Sequence, residues 1–163
     1  MAKDKQVTHD RIVYRCPSGW IERLATGEHW RLYRRQQKIM EGRIDIGDSI
    51  LEIGVGTGFT ANYLKSKGFV VTTVDIDEEK KPSIVANLVT FQPDQLFDHV
   101  LAFEVFEHIP FEKIVKVTEN LAGKCSKYLF MSVPRYLRTI ASIESQLPRL
   151  GKVAFARLSR NAG

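Results

Sequence analysis

The sequence predicts an α/β protein whose core is a doubly wound, mostly parallel β-sheet with helices on both faces and a shortened C-terminal part. Short apolar runs rich in β-branched residues alternate with segments of helical periodicity through the middle of the chain, as repeated strand–helix–strand units do. A glycine cluster separates the first apolar run from the first of these helical segments, and open α/β sheets bind ligands at such a junction.

The segment before the predicted sheet contains one clear helix. Residues 1–19 lack periodicity and end in the turn signal of residues 16–19. Residues 28–40 place apolar side chains among Arg, Gln and Lys at the spacing of an amphipathic helix, and Gly42 follows as a stop signal.

The elements of the sheet follow in order. Phe69 to Asp75 is a β-branched run that ends at an acidic residue, which is typical of a buried strand. Gly68 and Gly123 close helical segments, and Pro134 stops the last apolar run. The predicted strands cover residues 49–53, 69–74, 84–88, 99–103 and 128–133, the predicted helices cover residues 59–67, 111–121 and 136–147, and residues 151–157 form a short strand or a loose tail.

Composition places the chain among ordinary globular proteins. Its 163 residues, 44% hydrophobic and 26% charged, fit one domain. Cys16 and Cys125 lie far apart without metal-ligand spacing, so we expect neither a disulfide framework nor an oxidising compartment. The polar N-terminus and the lack of a long apolar run predict neither a signal peptide nor a membrane span. We therefore expect a cytoplasmic protein without membrane contact.

The formal net charge is +5, and its basic residues cluster in the first quarter and the tail of the chain. We interpret these clusters as solvated helix faces. The alternative is a basic rim around a site for an anionic acceptor, so a nucleic-acid partner is compatible with the charge but not indicated by it.

The glycine cluster is the most informative motif. Gly54, Gly56 and Gly58 alternate between a strand and a helix, where glycine lets a ligand lie directly against the backbone. The spacing differs from the G-x-G-x-x-G of dinucleotide sites, and the carboxyl of Glu52 suits a cation better than a pyrophosphate. Asp75, about 20 residues on at the end of the next strand, can accept both hydroxyls of a ribose. The plain alternative is a glycine turn with incidental acidic residues.

Several motifs in order resemble the class I S-adenosylmethionine-dependent methyltransferases, over residues 46–134. Residues 50–58 look like the first motif of that family, and residues 74–77 look like its second. Residues 97–110 are similar to the fourth-strand motif of the subgroup related to ubiquinone-biosynthesis methyltransferases, and residues 127–134 resemble the fifth strand. The resemblance implies a Rossmann-like fold and S-adenosylmethionine as the cofactor.

The resemblance also assigns roles to residues. Glu52 and the glycine backbone would orient the amino-acid part of the cofactor, and Asp75 the ribose. Asn87 stands where the family usually has an acidic residue near the adenine amino group. The predicted cofactor-binding residues are Glu52, Gly54, Gly56, Gly58, Asp75, Ile76, Asn87, Leu88, Phe103 and Glu104.

Glu104, Glu107 and His108 follow the fourth predicted strand, and we predict that they are the catalytic residues. If a helix begins there, the three share one face and present two carboxylates and an imidazole. Similar clusters bind metal in small-RNA 2′-O-methyltransferases and some quinone O-methyltransferases. The small-RNA enzymes need a further histidine, and none follows His108. We assign no metal, and we leave open a metal site and a metal-free role for His108 as general base.

These assignments divide the chain into a helical lid or cap (residues 1–45), a cofactor-binding core (46–134) and a short helix with a tail (135–163). We expect residues 28–40 to lie across the carboxyl edge of the sheet, with Trp30 and Tyr33 facing inward.

The predicted activity is methyl transfer to an oxygen or nitrogen of a small-molecule acceptor. The alternatives are a non-catalytic S-adenosylmethionine-binding module and, disfavoured by the glycine spacing, a nicotinamide-dependent oxidoreductase. An exposed strand edge would favour a homodimer.

Overall fold

The computed structural model describes residues 5–9, 12–16, 27–133 and 153–155. An antiparallel hairpin comes first, in which β1 (Lys5–His9) pairs with β2 (Ile12–Cys16). This hairpin corrects the expectation of an irregular N-terminus. Each strand is only five residues long and mixes polar with apolar residues, so its periodicity is too brief to distinguish in the sequence.

The other elements match the predicted pattern closely. In chain order they are α1 (Gly27–Met40), β3 (Ser49–Ile53), α2 (Phe59–Ser66), β4 (Val70–Asp75), β5 (Ile84–Val85), β6 (Phe97–Phe103), α3 (Phe111–Ala122), β7 (Cys125–Ser132) and β8 (Val153–Phe155). Short 3₁₀ turns follow β4 at Glu78–Lys80 and β6 at Phe106–His108.

Over the described residues, the sheet has six strands in the order β5-β4-β3-β6-β7-β8, and every neighbouring pair is parallel. The chain enters at β3 and runs outward through β4 and β5, then returns to β6 and runs outward the other way. The strand order therefore reverses between β3 and β6, and their carboxyl ends meet at the crevice where such folds bind ligands. The predicted Rossmann-like, doubly wound α/β class is confirmed.

Two apolar clusters cover the two faces of the sheet. Alternate residues of the central strands contribute to opposite clusters: Leu51 and Ile53 belong to one, and Ile50 belongs to the other. The first cluster includes Val117 and Leu121 of α3. The second includes buried residues of α1 and α2, so helices cover both faces as predicted.

The connection from β4 to β6 departs most from expectation. The third predicted strand, residues 84–88, is only the two-residue β5, because the backbone of Asn87 accepts the N–H groups of Thr90 and Phe91 and turns the chain away. Between β4 and β5 there is a single 3₁₀ turn and no α-helix. The connection itself therefore supplies no α-helix to cover the ends of β4 and α2.

The tail is described only at β8, which lies within the predicted residues 151–157 and pairs with β7. The helix predicted over residues 136–147 lies outside the described residues, and the three-part division of the chain stays a prediction. Among the residues that the structure describes, no helix is long and apolar enough to cross a membrane.

Candidate functional site

The glycine loop between β3 and α2 is built on left-handed backbone. Gly54, Gly56 and Gly58 have φ angles of 78°, 55° and 75°. The Gly54 N–H donates to the Val74 carbonyl at 2.8 Å and anchors the loop to β4. A Cβ at Gly54 would lie 2.6 Å from Cγ2 of Val105, so the loop packs against the segment after β6. A Cβ at Gly56 would meet no atom within 4 Å, which leaves its backbone open to a ligand.

Asp75 ends β4 beside this loop, and only 5% of its side chain is exposed. Its Oδ2 accepts the Val55 N–H at 2.8 Å, and its Oδ1 accepts the Asp77 N–H at 2.9 Å. The Lys80 ammonium forms an ion pair with Oδ2 at 3.3 Å. The fold thus brings the predicted ribose acceptor to the glycine loop, but three donors already engage its carboxylate.

Glu52 lies in the middle of the sheet, with 4% of its surface exposed. No hydrogen bond from the described part of the chain reaches its Oε2 atom. Burial raises the pKa of Glu52 to about 8, although the Lys65 ammonium acts in the opposite direction. The carboxyl is therefore mostly protonated at neutral pH. The expectation of a charged carboxylate ahead of the loop needs this correction, because desolvation is a property of the fold.

The predicted adenine side lies after β5. Asn87 is 2% exposed, and its Oδ1 accepts the Val89 N–H at 3.0 Å in a local turn. That contact occupies part of the hydrogen-bond acceptor capacity of Asn87, which the family resemblance places near the adenine amino group. Leu88 is half-buried against the cluster on the α3 face, and Ile76, also half-buried, follows Asp75. These residues stay candidates for the adenine pocket.

The predicted methyl end is formed where β6 and β7 finish side by side. Phe103 is half-buried against the cluster on the α2 face. Glu104 has a φ of 55°, which is rare for a residue with a side chain. Its N–H donates to the Ser132 carbonyl at 3.1 Å, and the Ser132 hydroxyl donates to Glu104 Oε1 at 2.7 Å. The carboxyl is thus held in one orientation by the neighbouring strand.

The three predicted catalytic residues do not share one helix face, which corrects that expectation. Glu104 precedes the 3₁₀ turn, whereas Glu107 and His108 lie within it, because the buried side chain of Phe106 anchors the turn to the core. His108 Nε2 and Glu107 Oε1 are 3.9 Å apart. Over the residues that the structure describes, no group of three acidic, histidine or cysteine side chains could hold a metal ion.

The acid–base properties of the turn suit proton transfer near neutral pH. Burial, with a smaller contribution from the nearby Glu104 carboxylate, raises the pKa of Glu107 to about 7. Partial burial lowers the pKa of His108, and the Lys80 ammonium acts in the same direction. The imidazole is largely exposed, so solvent screens the effect of that charge. His108 is therefore neutral at pH 7 and able to accept a proton.

Helix α1 contacts the glycine loop through an aromatic cluster. The Tyr33 ring stacks on Phe59 at 4.3 Å, and its hydroxyl is 3.2 Å from the Thr57 hydroxyl. The Trp30 ring meets Phe59 edge-on at 5.2 Å but remains 52% exposed. Tyr33 thus faces the loop as predicted, whereas Trp30 lies at the border between loop and solvent. Met40 is buried in the core and holds the other end of the helix.

A cleft of about 380 Å³ opens beside the glycine loop, next to Thr73 of β4. The loop and α2 form one wall, and the 3₁₀ turn after β4 forms the other. Its charged lining residues are Lys65, Glu79, Lys80 and Lys81.

Comparison with known proteins identifies the family. The sequence model of a family described as a methyltransferase domain matches residues 27–156. The chain belongs to this methyltransferase family. No curated protein matches the sequence.

Solved structures of methyltransferases share the fold. Coclaurine N-methyltransferase, bound to N-methylheliamine and SAH, aligns with a TM-score of 0.52 at 20% identity, over 63% of this chain and 34% of that chain. A SAM-dependent methyltransferase from Archaeoglobus fulgidus aligns with 0.54 at 19% identity, over 70% and 55%. N-methyltransferase NodS from Bradyrhizobium japonicum WM9, in complex with SAH, aligns with 0.50 at 17% identity, over 67% of each.

The chain spans 34% and 54% of the first two structures in this comparison, coclaurine N-methyltransferase and the DhpI–SAM–HEP complex. At sequence identities of 20% or less, the similarity to these structures shows a shared fold and no more. The ubiquinone-biosynthesis subgroup stays a prediction.

Sequence reasoning on this methyltransferase-family chain missed three residues of the site. Ser132 ends β7, the strand next to β6. The strand order was therefore the signal that could have placed Ser132 beside Glu104. Val55 contributes a backbone N–H to Asp75, which no side-chain pattern reveals. Lys80 reaches Asp75 only because the 3₁₀ turn replaces a helix after β4.

Proposed function

We propose that this protein is an S-adenosylmethionine-dependent methyltransferase that acts on an oxygen or nitrogen nucleophile of a small-molecule acceptor. The glycine loop carries this proposal. Gly56 combines a φ of 55° with open space where a Cβ would stand, while the packed Gly54 joins the loop to the segment that contains Glu104. A ligand along this loop lies between Asp75 and the end of β6. Membership of the methyltransferase family supports the activity.

The residues present fit this cofactor. The open backbone at Gly56 and the buried, unsatisfied Oε2 of Glu52 suit its amino-acid part, and Asp75 suits its ribose. Asn87, Leu88 and Ile76 would surround the adenine, and Phe103 with Glu104 would border the methyl end. When bound, S-adenosylmethionine supplies a methyl group on a sulfonium, which is already a good leaving group.

The chain itself contributes position and proton transfer. Ser132 holds the Glu104 carboxyl at the edge of the crevice, so an acceptor bonded to Glu104 is aligned before it reacts. The neutral imidazole of His108 accepts the proton that an amine or hydroxyl loses on methylation. Tyr33 stacks on Phe59 beside the loop, which supports a lid role for α1.

Binding and turnover test the proposal separately. Titration calorimetry should detect binding of S-adenosylmethionine and of SAH, with no heat from NAD. Asp75→Ala should weaken SAH binding by about 1.5–3 kcal/mol, the range for hydrogen bonds to a charged group. Transfer of labelled methyl to a panel of amines and hydroxyl compounds should then identify the acceptor class. Binding without any transfer would favour the alternative of a non-catalytic module, and binding of NAD alone would refute the assignment.

We also propose that the protein forms a homodimer, as the sequence predicts. Among the strands that the structure describes, the outermost are the three-residue β8 on one side of the sheet and the two-residue β5 on the other. An exposed strand edge can pair with a second copy, and the shortness of these two strands limits such pairing. Light scattering of the purified protein measures the oligomeric state directly.

A further inference from the structure

The carboxylate of Asp75 is covered by one flexible group. Of its three donors, the N–H groups of Val55 and Asp77 belong to the backbone of the glycine loop and of the turn after β4. The third donor, the Lys80 ammonium, stands at the end of a long side chain that is 24% exposed. Lys80 is therefore the donor that can leave without unfolding the turn.

The Asp75 carboxylate can accept only a limited number of hydrogen bonds, so Lys80 must leave before a ribose binds with both hydroxyls. Each carboxylate oxygen has about two acceptor positions. Oδ2 uses both, for Val55 and Lys80, whereas Oδ1 uses one, for Asp77. A ribose that binds with both hydroxyls needs one position on each oxygen. The backbone donor on Oδ2 is fixed, so the second hydroxyl requires the position that Lys80 holds.

We propose that Lys80 covers the ribose-binding carboxylate until the cofactor arrives, and that the ribose hydroxyls displace it. Lys80 is thereby a specificity-determining residue, because a ligand must offer a vicinal pair of hydroxyls to replace the ion pair. This inference rests on the proposed function. It concerns the nucleoside part of the ligand.

The surroundings of Lys80 provide room for the displaced side chain. Lys80 already lines the cleft beside the glycine loop, and 24% of its side chain is exposed to solvent. Glu79, Lys65 and Lys81 line the same cleft. Displacement moves the Lys80 ammonium from the nearly buried Asp75 carboxylate to a position close to solvent. The backbone hydrogen bonds to Asp75 come from Val55 and Asp77, so they are kept when Lys80 leaves.

The test compares SAH binding by calorimetry in the whole chain carrying Lys80→Met or Lys81→Met. Both substitutions remove one positive charge from the same cleft, but only Lys80 pairs with Asp75. Lys80→Met should bind SAH about threefold to fivefold tighter than the wild type, because no ion pair has to be broken before the ribose binds. The SAH affinity of Lys81→Met should stay within about twofold of the wild-type affinity. In an Asp75→Asn background, Lys80→Met should give no gain, because the pair is already lost.

Salt provides a second readout. Raising the salt concentration should tighten SAH binding to the wild type, by screening the ion pair, and leave Lys80→Met unchanged. If the proteins bind SAH but Lys80→Met binds it equally or more weakly, the covering role is wrong and the proposed function stands. If no variant binds SAH, the wild type included, the proposed function fails and the covering role with it. Circular dichroism melting of each variant verifies that it is folded.

Discussion

The hydroxyl of Ser132 donates a hydrogen bond to Glu104 Oε1 across 2.7 Å, at the point where β7 and β6 end side by side. The same two residues are joined by a backbone hydrogen bond of 3.1 Å. Together these bonds hold Glu104 at a φ of 55°, in a region that costs free energy for any residue with a Cβ. Backbone in such regions is concentrated at functional sites, which agrees with a positioning role for Ser132.

Ser132→Ala should uncouple the Glu104 carboxyl from β7. We expect the free energy of unfolding to fall by about 1–2 kcal/mol and methyl transfer to fall more than SAH affinity does. Urea unfolding, the transfer assay and calorimetry measure the three quantities. Ser126→Ala is the matched control, because the exposed Ser126 hydroxyl bonds Asp98 at the other end of the strand. Equal effects of the two substitutions on turnover would contradict the positioning role.

Gly56→Val should abolish SAH binding while the fold survives. Gly56 and Gly42 both have left-handed φ angles, 55° and 71°, and a Cβ at either position meets no atom within 4 Å. Valine should therefore cost each position a similar amount of stability, about 1–2 kcal/mol. Gly42 lies after α1, outside the glycine loop, so Gly42→Val should bind SAH normally. Normal binding by Gly56→Val would place the ligand elsewhere.

Glu52 should make the protein less stable as the pH rises from about 4.5 to about 8. Burial raises its folded pKa to about 8 from the ordinary 4.5, so in this window the folded state keeps a proton that the unfolded state has lost. The free energy of unfolding should therefore fall with rising pH, with a contribution of about 1.4 kcal/mol per pH unit. Urea unfolding at several pH values measures this slope.

Glu52→Gln should remove most of that slope, since an amide does not titrate. Glu107 acts in the same direction, because its pKa is raised to about 7, so Glu107→Gln should remove a smaller part. The Lys127 contact lowers the pKa of Asp48 to about 2 against the effect of burial, and Asp48 therefore influences stability only at more acidic pH. A slope that survives Glu52→Gln unchanged would show that the carboxyl is ionised in the folded protein.

His108→Ala should reduce turnover by about 100-fold and leave SAH affinity nearly unchanged, as expected for the loss of a general base. The lowered pKa of His108 predicts that activity persists below the ordinary pKa of histidine before protonation removes the base. Activity should also persist in excess chelator, which tests the metal alternative left open by the Glu104, Glu107 and His108 motif. Activity lost to chelator and restored by a divalent ion would support that alternative.

Helix α1 should gain protection from hydrogen exchange when SAH binds. Tyr33 touches both the first residue of α2 and the loop residue Thr57, so ordering of the loop should reach residues 28–40. Helix α3, on the opposite face of the sheet, serves as the control and should change little. Equal protection of residues 28–40 with and without SAH would leave α1 a structural role only.

Local signals in the sequence were sufficient for most of the architecture. The β-branched runs and the helical periodicities placed β3, β4, β6 and β7 to within a few residues, because each pattern depends only on the residues of its own segment. The spacing of Gly54, Gly56 and Gly58 located the loop, because left-handed backbone between a strand and a helix requires glycine. The short β5 was overestimated, since the turn at Asn87 depends on a local hydrogen bond that apolar periodicity does not reveal.

The chemical state of the site was decided only by tertiary structure. The proton on Glu52, the hydrogen bond from Ser132 to Glu104 and the ion pair between Lys80 and Asp75 all depend on which groups the fold brings together and how far it excludes water. Desolvation and contacts between separate elements have no signature within a short window of sequence. The sequence by itself therefore determined the elements, the glycine loop and the family resemblance, whereas the charges and orientations of the side chains became defined only when the strand ends met.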